Sequence, residues 1–511
     1  MTLLEGWSVA PLQEFADVKL GKMLSPKAHE AGLVRLRYLR NENVQWGFVD
    51  LDDLKEMGFK PEELNRYTVE PGDLLVCEGG EPGRAAVYSG PTPMAYQKAL
   101  HRVRPRCKGV STALLRYWLE YLAGAGLLVE KIAQTTIQHL PLARFQTISL
   151  PLPPAAEQRR IVATIEEQLS RVEAGVQALK RVKKELVRYR ASVLKAACEG
   201  QLVPTEAALA RAEGRSYETA SELLGRILAE RRTRWDRKKK YADPAGPDTP
   251  SLPALPKGWA WVSVAQITAS LEYGSSSRTT KDSAGVPVLR MGNIQDGSLD
   301  LRELKYLPRS HREFPKLLLK SGDLLFNRTN SAELVGKSAV YSGTPGVCSF
   351  ASYLIRGRFR EGSTSRFVAF FLNSPHGRRW VASVVTQQVG QANVSGSKLA
   401  ALAIPLPPLA EQHRIVAEVE RRLSIADGVA ATVEAALARA KRLRQSILKR
   451  AFEGRLVPQD PNDEPASALL DRIRSERAAT AAGKPAPRRR SVTASDTSAR
   501  NPSGRSRRRA R

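Results

Sequence analysis

Cysteine is scarce in this sequence, and its copies are far apart. Cys77, Cys107, Cys198 and Cys348 are the only four among 511 residues, and no two of them form a CxxC motif. Such scattered cysteines argue for a reducing cytoplasm and against structural zinc. The six histidines do not have metal-ligand spacing either. We therefore expect a cytoplasmic protein with no metal site.

Long hydrophobic runs are also missing. The chain contains no stretch of about 18 uninterrupted apolar residues, the length that a membrane-spanning helix needs. Its first residues, MTLLEGWSVAPLQEF, lack the basic and then apolar pattern of a signal peptide. We therefore expect no contact with a membrane.

Acidic residues are far fewer than basic residues. The chain has 80 lysines and arginines against 52 acidic residues, for a net charge of +28. Residues 484–511 hold ten basic residues and one acid, and this tail is predicted to be disordered. The remainder still carries +19. A polyanionic partner, with nucleic acid as the first candidate, is one interpretation, and a well-solvated basic surface is the other.

What the sequence does have is a long internal repeat. PLPPAAEQRRIVATIEEQLS begins at Pro151, and PLPPLAEQHRIVAEVERRLS begins at Pro405, 254 residues later. Between 151–204 and 405–458, 25 of 54 positions are identical. The segment AVYSG at 86–90 returns unchanged at 339–343. Because this period is far too long for a solenoid, it indicates duplication of a whole domain and its connecting helix.

The segments before each PLPP block mix short β-type runs with helical stretches, and Gly and Pro punctuate them. This pattern predicts a mixed α/β fold with two tandem domains, while the loops between the shared landmarks differ. The predicted organisation is a first domain at 1–152, a long helix at 153–200, a basic, Pro-rich connector with a short helix at 201–255, a second domain at 256–406, a second long helix at 407–453, a short helical region at 454–480 and the basic tail at 481–511.

Each PLPP block predicts a helix start, because Pro is tolerated in the first helical turn. The residues that follow carry heptads of mostly small apolar residues, which predict a close-packed coiled coil of two long helices. The alternative is two unrelated amphipathic helices, each packed on its own domain. The interface positions are Val162, Ile165, Leu169, Val172, Val176, Leu179, Val416, Val419, Leu423, Val433, Leu437 and Ile447.

Three segments invite a catalytic interpretation, and each has a simpler explanation. Residues 331–338 end like a phosphate-binding loop, but Ser331 stands where the first Gly should be and the first repeat has no such motif. Asp296 with Glu303 and Lys305 faintly resembles a nuclease trio that the first half lacks. The Glu-Gln pairs at 157–158 and 411–412 fit helix capping. We expect a chain without catalytic residues.

The doubled PLPPxAEQxRIV motif, EGxLVP at 199–204 and 453–458, and Gly-Trp at the start of each domain together resemble the specificity (S) subunit of type I restriction–modification enzymes. The resemblance covers residues 1 to about 480. It implies two mixed α/β target recognition domains held apart by two long antiparallel helices, with pseudo-twofold symmetry. The tail lies outside the family pattern.

The resemblance also implies a function and partners. Each domain reads one half of a split, asymmetric double-stranded DNA site in a prokaryotic cell. The helices dock two modification (M) methyltransferase subunits, and two restriction (R) ATP-dependent helicase–nuclease subunits complete the assembly. Methyl transfer and ATP-driven cleavage belong to those partners, so no cofactor is expected on this chain. The rival hypotheses are a free-standing DNA-binding regulator and an enzyme with a hidden active site.

Side chains that can read base edges, chiefly Arg, Lys, Asn and Gln, gather in loop segments of both halves. Turn chemistry is the alternative for each segment, because Gly, Asn, Thr and Ser also serve loops. The candidate DNA-binding residues are Glu78, Gly79, Gly80, Arg84, Gln97, Lys98, Thr135, Thr136, Gln138 and His139 in the first domain, and Asn327, Arg328, Thr329, Asn330, Ser331, Lys337, Gln391 and Asn393 in the second.

Overall fold

The computed structural model describes residues 4–24, 32–132, 138–235, 241–359, 362–388 and 391–482. Thr135, Thr136 and nearly all of the basic tail therefore lie outside the described residues. The chain divides into two compact units, one formed by 1–175 together with 439–511 and the other by 176–438. Within the described ranges, none of the helices combines the length and the apolar character needed to cross a bilayer.

The first recognition domain is mixed α/β, as the Gly- and Pro-punctuated pattern predicts. Its strands are β1 Ser8–Pro11, β2 Ala16–Leu20, β3 Val34–Leu39, β4 Val44–Gln45, β5 Phe48–Val49, β6 Lys55–Phe59, β7 Thr68–Val69, β8 Leu74–Cys77, β9 Ala85–Val87, β10 Met94–Tyr96, β11 Leu100–Pro105 and β12 Ser149–Leu152. Its helices are α1 Leu12–Phe15, α2 Leu64–Tyr67, α3 Thr112–Gly124 and α4 Leu142–Phe145.

Two four-stranded sheets form the body of this domain. One has the order β2-β11-β8-β9 and the other β6-β3-β10-β7. Strand β8 reads Leu-Leu-Val-Cys and is buried along its whole length, as expected for a strand covered on both faces. Strand β1 pairs antiparallel with β12, which places Val9 opposite Pro151. The domain therefore begins and ends on one two-stranded ribbon.

A long helix, a connector with two helices, the second domain, a second long helix and a last helix follow. These helices are α5 Ala155–Cys198, α6 Glu206–Glu213, α7 Ala220–Thr233, α8 Val264–Ile267, α9 Gly362–Asn373, α10 Pro375–Val384, α11 Gly396–Ala401, α12 Leu409–Phe452 and α13 Ala466–Ala482. The strands are β13 Ala260–Ser263, β14 Thr268–Tyr273, β15 Val286–Leu289, β16 Ile294–Gln295, β17 Ser298–Leu299, β18 Lys305–Leu307, β19 Leu324–Asn327, β20 Thr329–Asn330, β21 Ser338–Val340, β22 Ser349–Phe350, β23 Leu354–Phe359, β24 Thr386–Gln388, β25 Gln391–Asn393 and β26 Ala403–Leu406.

The second domain repeats the sheet topology of the first. The order β14-β23-β19-β21 matches β2-β11-β8-β9, and the pair β13-β26 matches β1-β12. A three-stranded sheet, β20-β25-β24, extends the second domain. The duplication that the sequence indicates is thus a duplication of fold.

The long helices α5 and α12 have 44 residues each, which makes each about 66 Å long at 1.5 Å per residue. Within the second unit they run antiparallel. Lys183 Nζ lies 2.6 Å from Glu434 Oε1, and Arg190 pairs with Asp427, so a step of seven residues up one helix is a step of seven down the other. All twelve heptad positions that we assigned to the interface are buried or partly buried.

Both long helices begin later than the PLPP pattern predicts. Pro151 and Leu152 lie in strand β12, and α5 starts at Ala155, after the last proline of the motif. The second copy does the same, with β26 ending at Leu406 and α12 starting at Leu409. Pairing with the ribbon partner outweighs helix formation at the first two motif positions.

The Glu-Gln pair of each motif is not a simple helix cap. Trp7 Nε1 donates a hydrogen bond of 3.1 Å to Glu157 Oε2, and Trp259 Nε1 donates one of 3.0 Å to Glu411 Oε1. Both carboxylates are buried, at 1% and 0% exposure. The Gly-Trp motif at each domain start is therefore tied to the first turn of the long helix that follows that domain.

The glutamine of each pair connects the same helix to two other segments. Gln158 Nε2 donates to Pro153 O at 2.9 Å, while its Oε1 accepts from Ser111 N at 2.9 Å, just before α3. In the second copy, Gln412 Nε2 donates to Pro407 O at 2.8 Å and Oε1 accepts from Thr364 Oγ1 at 2.8 Å. Both motif residues therefore fix the long helix to its recognition domain.

Each recognition domain is completed by a helix that follows the long helix of the other domain. Helix α13 packs on the first domain, and Leu469, Leu470 and Ile473 lie in the same apolar core as Phe15. Helix α7 packs on the second domain, where Leu223 and Ile227 share the core of Ile267. Residues 221–227 and 467–473, which are similar in sequence, thus belong to two helices with equivalent packing.

We predict that Trp259→Phe destabilises the second unit by about 1–3 kcal/mol at neutral pH, because it removes a donor from a buried carboxylate. Burial already raises the pKa of Glu411 above its ordinary value of 4.5, and the hydrogen bonds from Glu206 N and Trp259 oppose that rise. Losing one bond raises the folded-state pKa further, so the added penalty is present above the raised pKa of Glu411 and fades below it, where the carboxyl is protonated in both chains.

Amide hydrogen exchange at pH 7.5 and 5 in β13 and in the part of α12 up to Ala438 measures this effect in the second unit by itself. Trp261→Phe is the matched control, because the Trp261 indole donates to Pro253 O at 3.0 Å in a more exposed position. Equal losses of protection in the two variants, or a loss that does not depend on pH, would contradict the prediction.

Candidate nucleic-acid interface

Three chain segments of the first domain meet where strand β8 ends. Glu78 N donates to Ala99 O at 2.8 Å, and Leu140 N donates to Glu78 O at 2.7 Å. Gly79 forms a β-bridge with His139. Backbone hydrogen bonds therefore join the end of β8, the turn before β11 and the segment before α4, and we call this meeting point the junction.

The side chains at this junction include acidic and basic groups. Burial raises the pKa of Glu78, and the nearby charges of Lys98 and His139 oppose the rise. Lys98 and Gln138 are exposed, while His139 is partly buried. The junction thus presents both hydrogen-bond donors and acceptors to solvent.

The second domain has the same junction. Arg328 N donates to Tyr353 O at 2.9 Å, and Val394 N donates to Arg328 O at 2.9 Å. Thr329 pairs with Asn393 where Gly79 pairs with His139 in the first domain. The two junctions therefore share a backbone hydrogen-bond pattern.

The side chains at the second junction are different, and they hold a guanidinium in place. Arg328 Nη2 donates to Asn393 Oδ1 at 3.1 Å, and the guanidinium carbon lies 4.9 Å from the ring centre of Tyr273. Tyr273 is itself anchored, because its hydroxyl accepts a hydrogen bond from Gly396 N at 2.8 Å. Arg328 Nε is buried and has no hydrogen-bond partner among the described residues. These contacts hold the Arg328 guanidinium in one orientation, while some of its N–H donors have no partner among the described residues.

The structure brings together most of the candidate residues that the sequence indicates. Those at or beside the two junctions are Glu78, Gly79, Gly80, Gln97, Lys98, Gln138, His139, Arg328, Thr329, Asn330, Gln391 and Asn393. Ser331 is exposed just beyond β20.

Three candidates have other surroundings. Asn327 is fully buried, and its Nδ2 donates to Leu334 O at 3.3 Å, so it holds the loop that follows. Arg84 Nη2 donates to Asn41 O at 2.8 Å, which also fixes a loop. Lys337 lines a groove of about 390 Å³ together with Arg190 and Glu434 of the long helices.

Sequence reasoning missed three residues at the junctions. Lys22 O accepts from Lys98 N at 2.9 Å, and Lys22 Nζ lies 2.6 Å from Glu63 and 4.7 Å from the Phe59 ring centre. Tyr273 and Tyr353 are 48% and 44% exposed at the second junction. Lys22 lies just after β2 and Tyr273 ends β14, both far from the loops in sequence, so local composition gave no signal. Aligning the two repeats through β2 and β14 could have indicated them.

The segment that ends like a phosphate loop has a different role. Residues after Gly336 enter strand β21 rather than a helix, so no helix N-terminus follows to bind a phosphate. Arg378 donates to Glu333 O at 2.8 Å and Val335 O at 2.5 Å and so holds the loop from outside. Among the described ranges, no three His, Cys, Asp or Glu side chains are grouped closely enough to hold a metal ion.

Comparisons with known proteins agree with this geometry. The type I restriction–modification DNA specificity domain model matches residues 4–184 and 256–424. The EcoKI specificity subunit of Escherichia coli K12 is 27% identical over 508 residues, which cover 96% of this chain and 99% of that protein. The StySPI specificity subunit of Salmonella potsdam is 24% identical over 501 residues, covering 94% and 98%.

A solved structure has the same fold. A chain from a study of complex assembly and conformational transition in the type I restriction–modification system matches with a TM-score of 0.60 and 20% identity, covering 89% of this chain and all of that one. The family model matches twice, once on each domain with part of its long helix, and together the two matches span more than half of the sequence. This protein belongs to the type I restriction–modification DNA specificity family.

Proposed function

We propose that each recognition domain reads one half of a bipartite, asymmetric DNA site, and that its junction supplies the base-reading side chains. One observation carries the proposal: the two domains share the backbone hydrogen bonds of the junction but differ in its side chains. The shared backbone hydrogen bonds would place both domains on DNA in the same orientation, while the different side-chain donors and acceptors select different bases.

Arg328 is the strongest single candidate for base reading. Arginine binds O6 and N7 of guanine through two donors, and this pairing needs a guanidinium held in one orientation. Asn393 and Tyr273 provide that orientation from two sides. In the first domain, Lys98 and Gln138 are the exposed donors beside Glu78 and His139.

The net charge of +28 supports the same role. Lysine and arginine contacts to phosphate provide affinity that does not depend on sequence and that falls as salt rises. Base contacts at the junctions then add the discrimination between sequences.

The partners in this proposal are methyltransferase (M) subunits and ATP-dependent restriction (R) subunits, two of each, with the M subunits docked on the long helices. Apolar side chains on those helices support docking: Val182 and Val187 of α5 are 40% and 66% exposed, and Ile425 and Val429 of α12 are 55% and 40% exposed. Exposed apolar side chains that gather on the surface of a protein, as on these two helices, are typical of interaction surfaces. Methyl transfer and cleavage belong to the partners.

A free-standing DNA-binding regulator is the weaker candidate. The full-length relatives are named as specificity subunits of restriction enzymes, and this chain spans nearly all of their length. A regulator would also leave the exposed apolar residues of α5 and α12 without a partner.

The first prediction tests the division of labour. The purified chain alone is expected to methylate no DNA, and addition of its M subunit and S-adenosylmethionine should give adenine methylation at one bipartite sequence. Methylome sequencing of DNA incubated with each mixture is the measurement. Methylation by this chain without M would overturn the proposal.

The second prediction concerns Arg328. Arg328→Lys keeps the charge but removes the two-donor fork, so we expect about 1–3 kcal/mol of lost discrimination at one base pair in the half-site of the second domain. The other half-site should not change. Lys98→Ala in the first domain is the matched control, because it should affect only the opposite half-site. Loss of affinity that is equal for all DNA sequences would instead identify Arg328 as a phosphate contact.

The third prediction concerns spacing. Four residues inserted in each long helix, after Lys183 and before Glu434, keep the Arg190–Asp427 register and rotate the far side by only about 40°. The added length of about 6 Å corresponds to at most one or two base pairs at about 3.4 Å each. We expect a site that keeps both half-sites but has a spacer longer by one or two base pairs.

A single inserted residue in each helix is the control for that experiment. It rotates the far side by about 100°, which turns the apolar seam away from its partner, so assembly with M should fail. Methylated sites mapped for both variants give the answer. An unchanged spacer in the four-residue variant would show that the helices do not set it.

A further inference from the structure

The second unit contains an open pocket that the DNA-reading role does not use. It has a volume of about 520 Å³, which is within the range of small-ligand sites. Its lining includes three aromatic side chains, Trp261, Phe371 and Trp380, which we call its aromatic walls, together with Ala403 and, at the end of α5, Cys198 and Glu199. Three aromatic side chains around one space are typical of a site that holds a flat ring.

The first unit has aromatic side chains at the corresponding place. Phe452 occupies the position equivalent to Cys198, 254 residues later in the chain. Its ring centre lies 4.8 Å from that of Trp118 and 5.9 Å from that of Tyr121. The Trp118 indole also covers Ser149, the equivalent of Ala403, because its Nε1 donates to Ser149 O at 3.2 Å.

In the second unit, smaller residues replace two of these three rings. Cys198 stands for Phe452 and Ser374 for Tyr121, while Phe371 keeps an aromatic ring where the first unit has Trp118. Two further aromatic groups line the space, because Trp261 takes the place of Val9 and Trp380 comes from α10. One copy of the fold thus fills this space with its own rings, and the other leaves it open between rings.

The pocket also has a polar edge. His376 Nε2 lies 3.0 Å from Glu199 Oε1, and Arg379 Nη2 lies 2.9 Å from His376 Nδ1. Because arginine can only donate, Nδ1 accepts, and the ring proton is on Nε2 and points to Glu199. Glu199 Oε1 therefore accepts from His376, and its second oxygen, which has no hydrogen bond within the described part of the chain, can accept a donor from a bound molecule.

We propose that this pocket binds one aromatic ring that carries an N–H donor, with the ring between the aromatic walls and the N–H directed to Glu199. Indole has this chemistry, either as a free compound or as a tryptophan side chain of a partner subunit. Among the described residues we expect one such site, because the rings of Phe452 and Tyr121 occupy its counterpart in the first unit. The proposal does not depend on which DNA sequence the chain reads.

Titration of the full chain with 5-fluoroindole, followed by ¹⁹F NMR, tests the proposal. We expect one saturable site. Cys198→Phe, which introduces the ring found in the first unit, should weaken binding by about tenfold or more, because it fills the space that the ligand needs. Cys198→Ala is the matched control and should bind as the parent chain does. Equal binding by the Cys198→Phe variant, with its circular dichroism unchanged, would overturn the proposal.

A second comparison needs no substitution in the core. 5-Fluorobenzofuran has nearly the shape of 5-fluoroindole but an oxygen in place of the N–H, so it should bind the parent chain about tenfold more weakly, since the bound ring then covers Glu199 without donating to it. Glu199→Ala should remove that preference. Equal affinity of the parent chain for the two probes would contradict the hydrogen bond to Glu199.

Addition of the M subunit distinguishes the two sources of the ring. If the natural ligand is a tryptophan of that subunit, complex formation displaces 5-fluoroindole, and the Cys198→Phe chain binds M more weakly. If it is a free compound, the probe stays bound in the complex. Failure of DNA recognition in the same preparations would count against the proposed function and not against the pocket.

Discussion

The buried hydrogen bond between a tryptophan and a glutamate is the interaction on which each half of this protein depends. Trp7 with Glu157, and Trp259 with Glu411, connect the residue just before the first strand of a recognition domain to the first turn of the long helix. An unpaired carboxylate at 0–1% exposure would be strongly unfavourable, so each indole donor makes the placement of its helix tolerable. The Gly-Trp motif and the PLPP motif of each repeat, whose bonded residues are 150 and 152 positions apart, are therefore one structural unit.

The two copies of this interaction have different electrostatic surroundings. Glu411 also accepts from Glu206 N at 2.8 Å, and Glu206 itself lies 2.6 Å from both Arg414 and Arg215. In the first unit, Arg160 pairs instead with Asp463 at 2.6 Å, and the motif glutamate has one oxygen with no hydrogen-bond partner among the described residues. The carboxylate partner comes from a different position in each copy, so the repeat preserves the arginine but not the source of its counter-charge.

The sequence predicts the repeated scaffold well because the scaffold rests on local and repeated patterns. Heptad spacing identified the long helices to within two residues, and the mixed pattern of short strands identified the domains. The packing of α13 on the first domain was not predictable, because it joins residues more than 450 positions apart. The similarity of 467–473 to 221–227 indicates an equivalent helix, but it does not indicate the domain on which that helix packs. The role of the Glu-Gln pairs was missed for the same reason, since their partners are distant in sequence.

The candidate interface was predicted only in part, and the misses have a physical cause. Residue type identifies side chains that can read a base, but it does not reveal which of them the fold has already used. Asn327 looks like a reader of adenine, yet its amide is buried and holds a loop. Tyr273 looks like an ordinary strand residue, yet it positions Arg328. Contacts between distant segments decide these roles, and no local pattern contains them.

Under the proposed function, the distribution of charge and of junction residues accounts for the joining of two domains in one chain. Each junction would offer only a few side chains to the bases, and each good base contact contributes about 1–3 kcal/mol of discrimination. Specific sites are usually preferred over other DNA by about 4–10 kcal/mol, so two junctions together reach that range more readily than one. Joining two junctions through long helices makes the second binding event intramolecular, so the two discriminations combine on one DNA molecule. The basic surface alone would bind all DNA alike. Under this proposal, selectivity also depends on how firmly each long helix is held to its recognition domain, and the buried glutamates at the first turns provide that attachment.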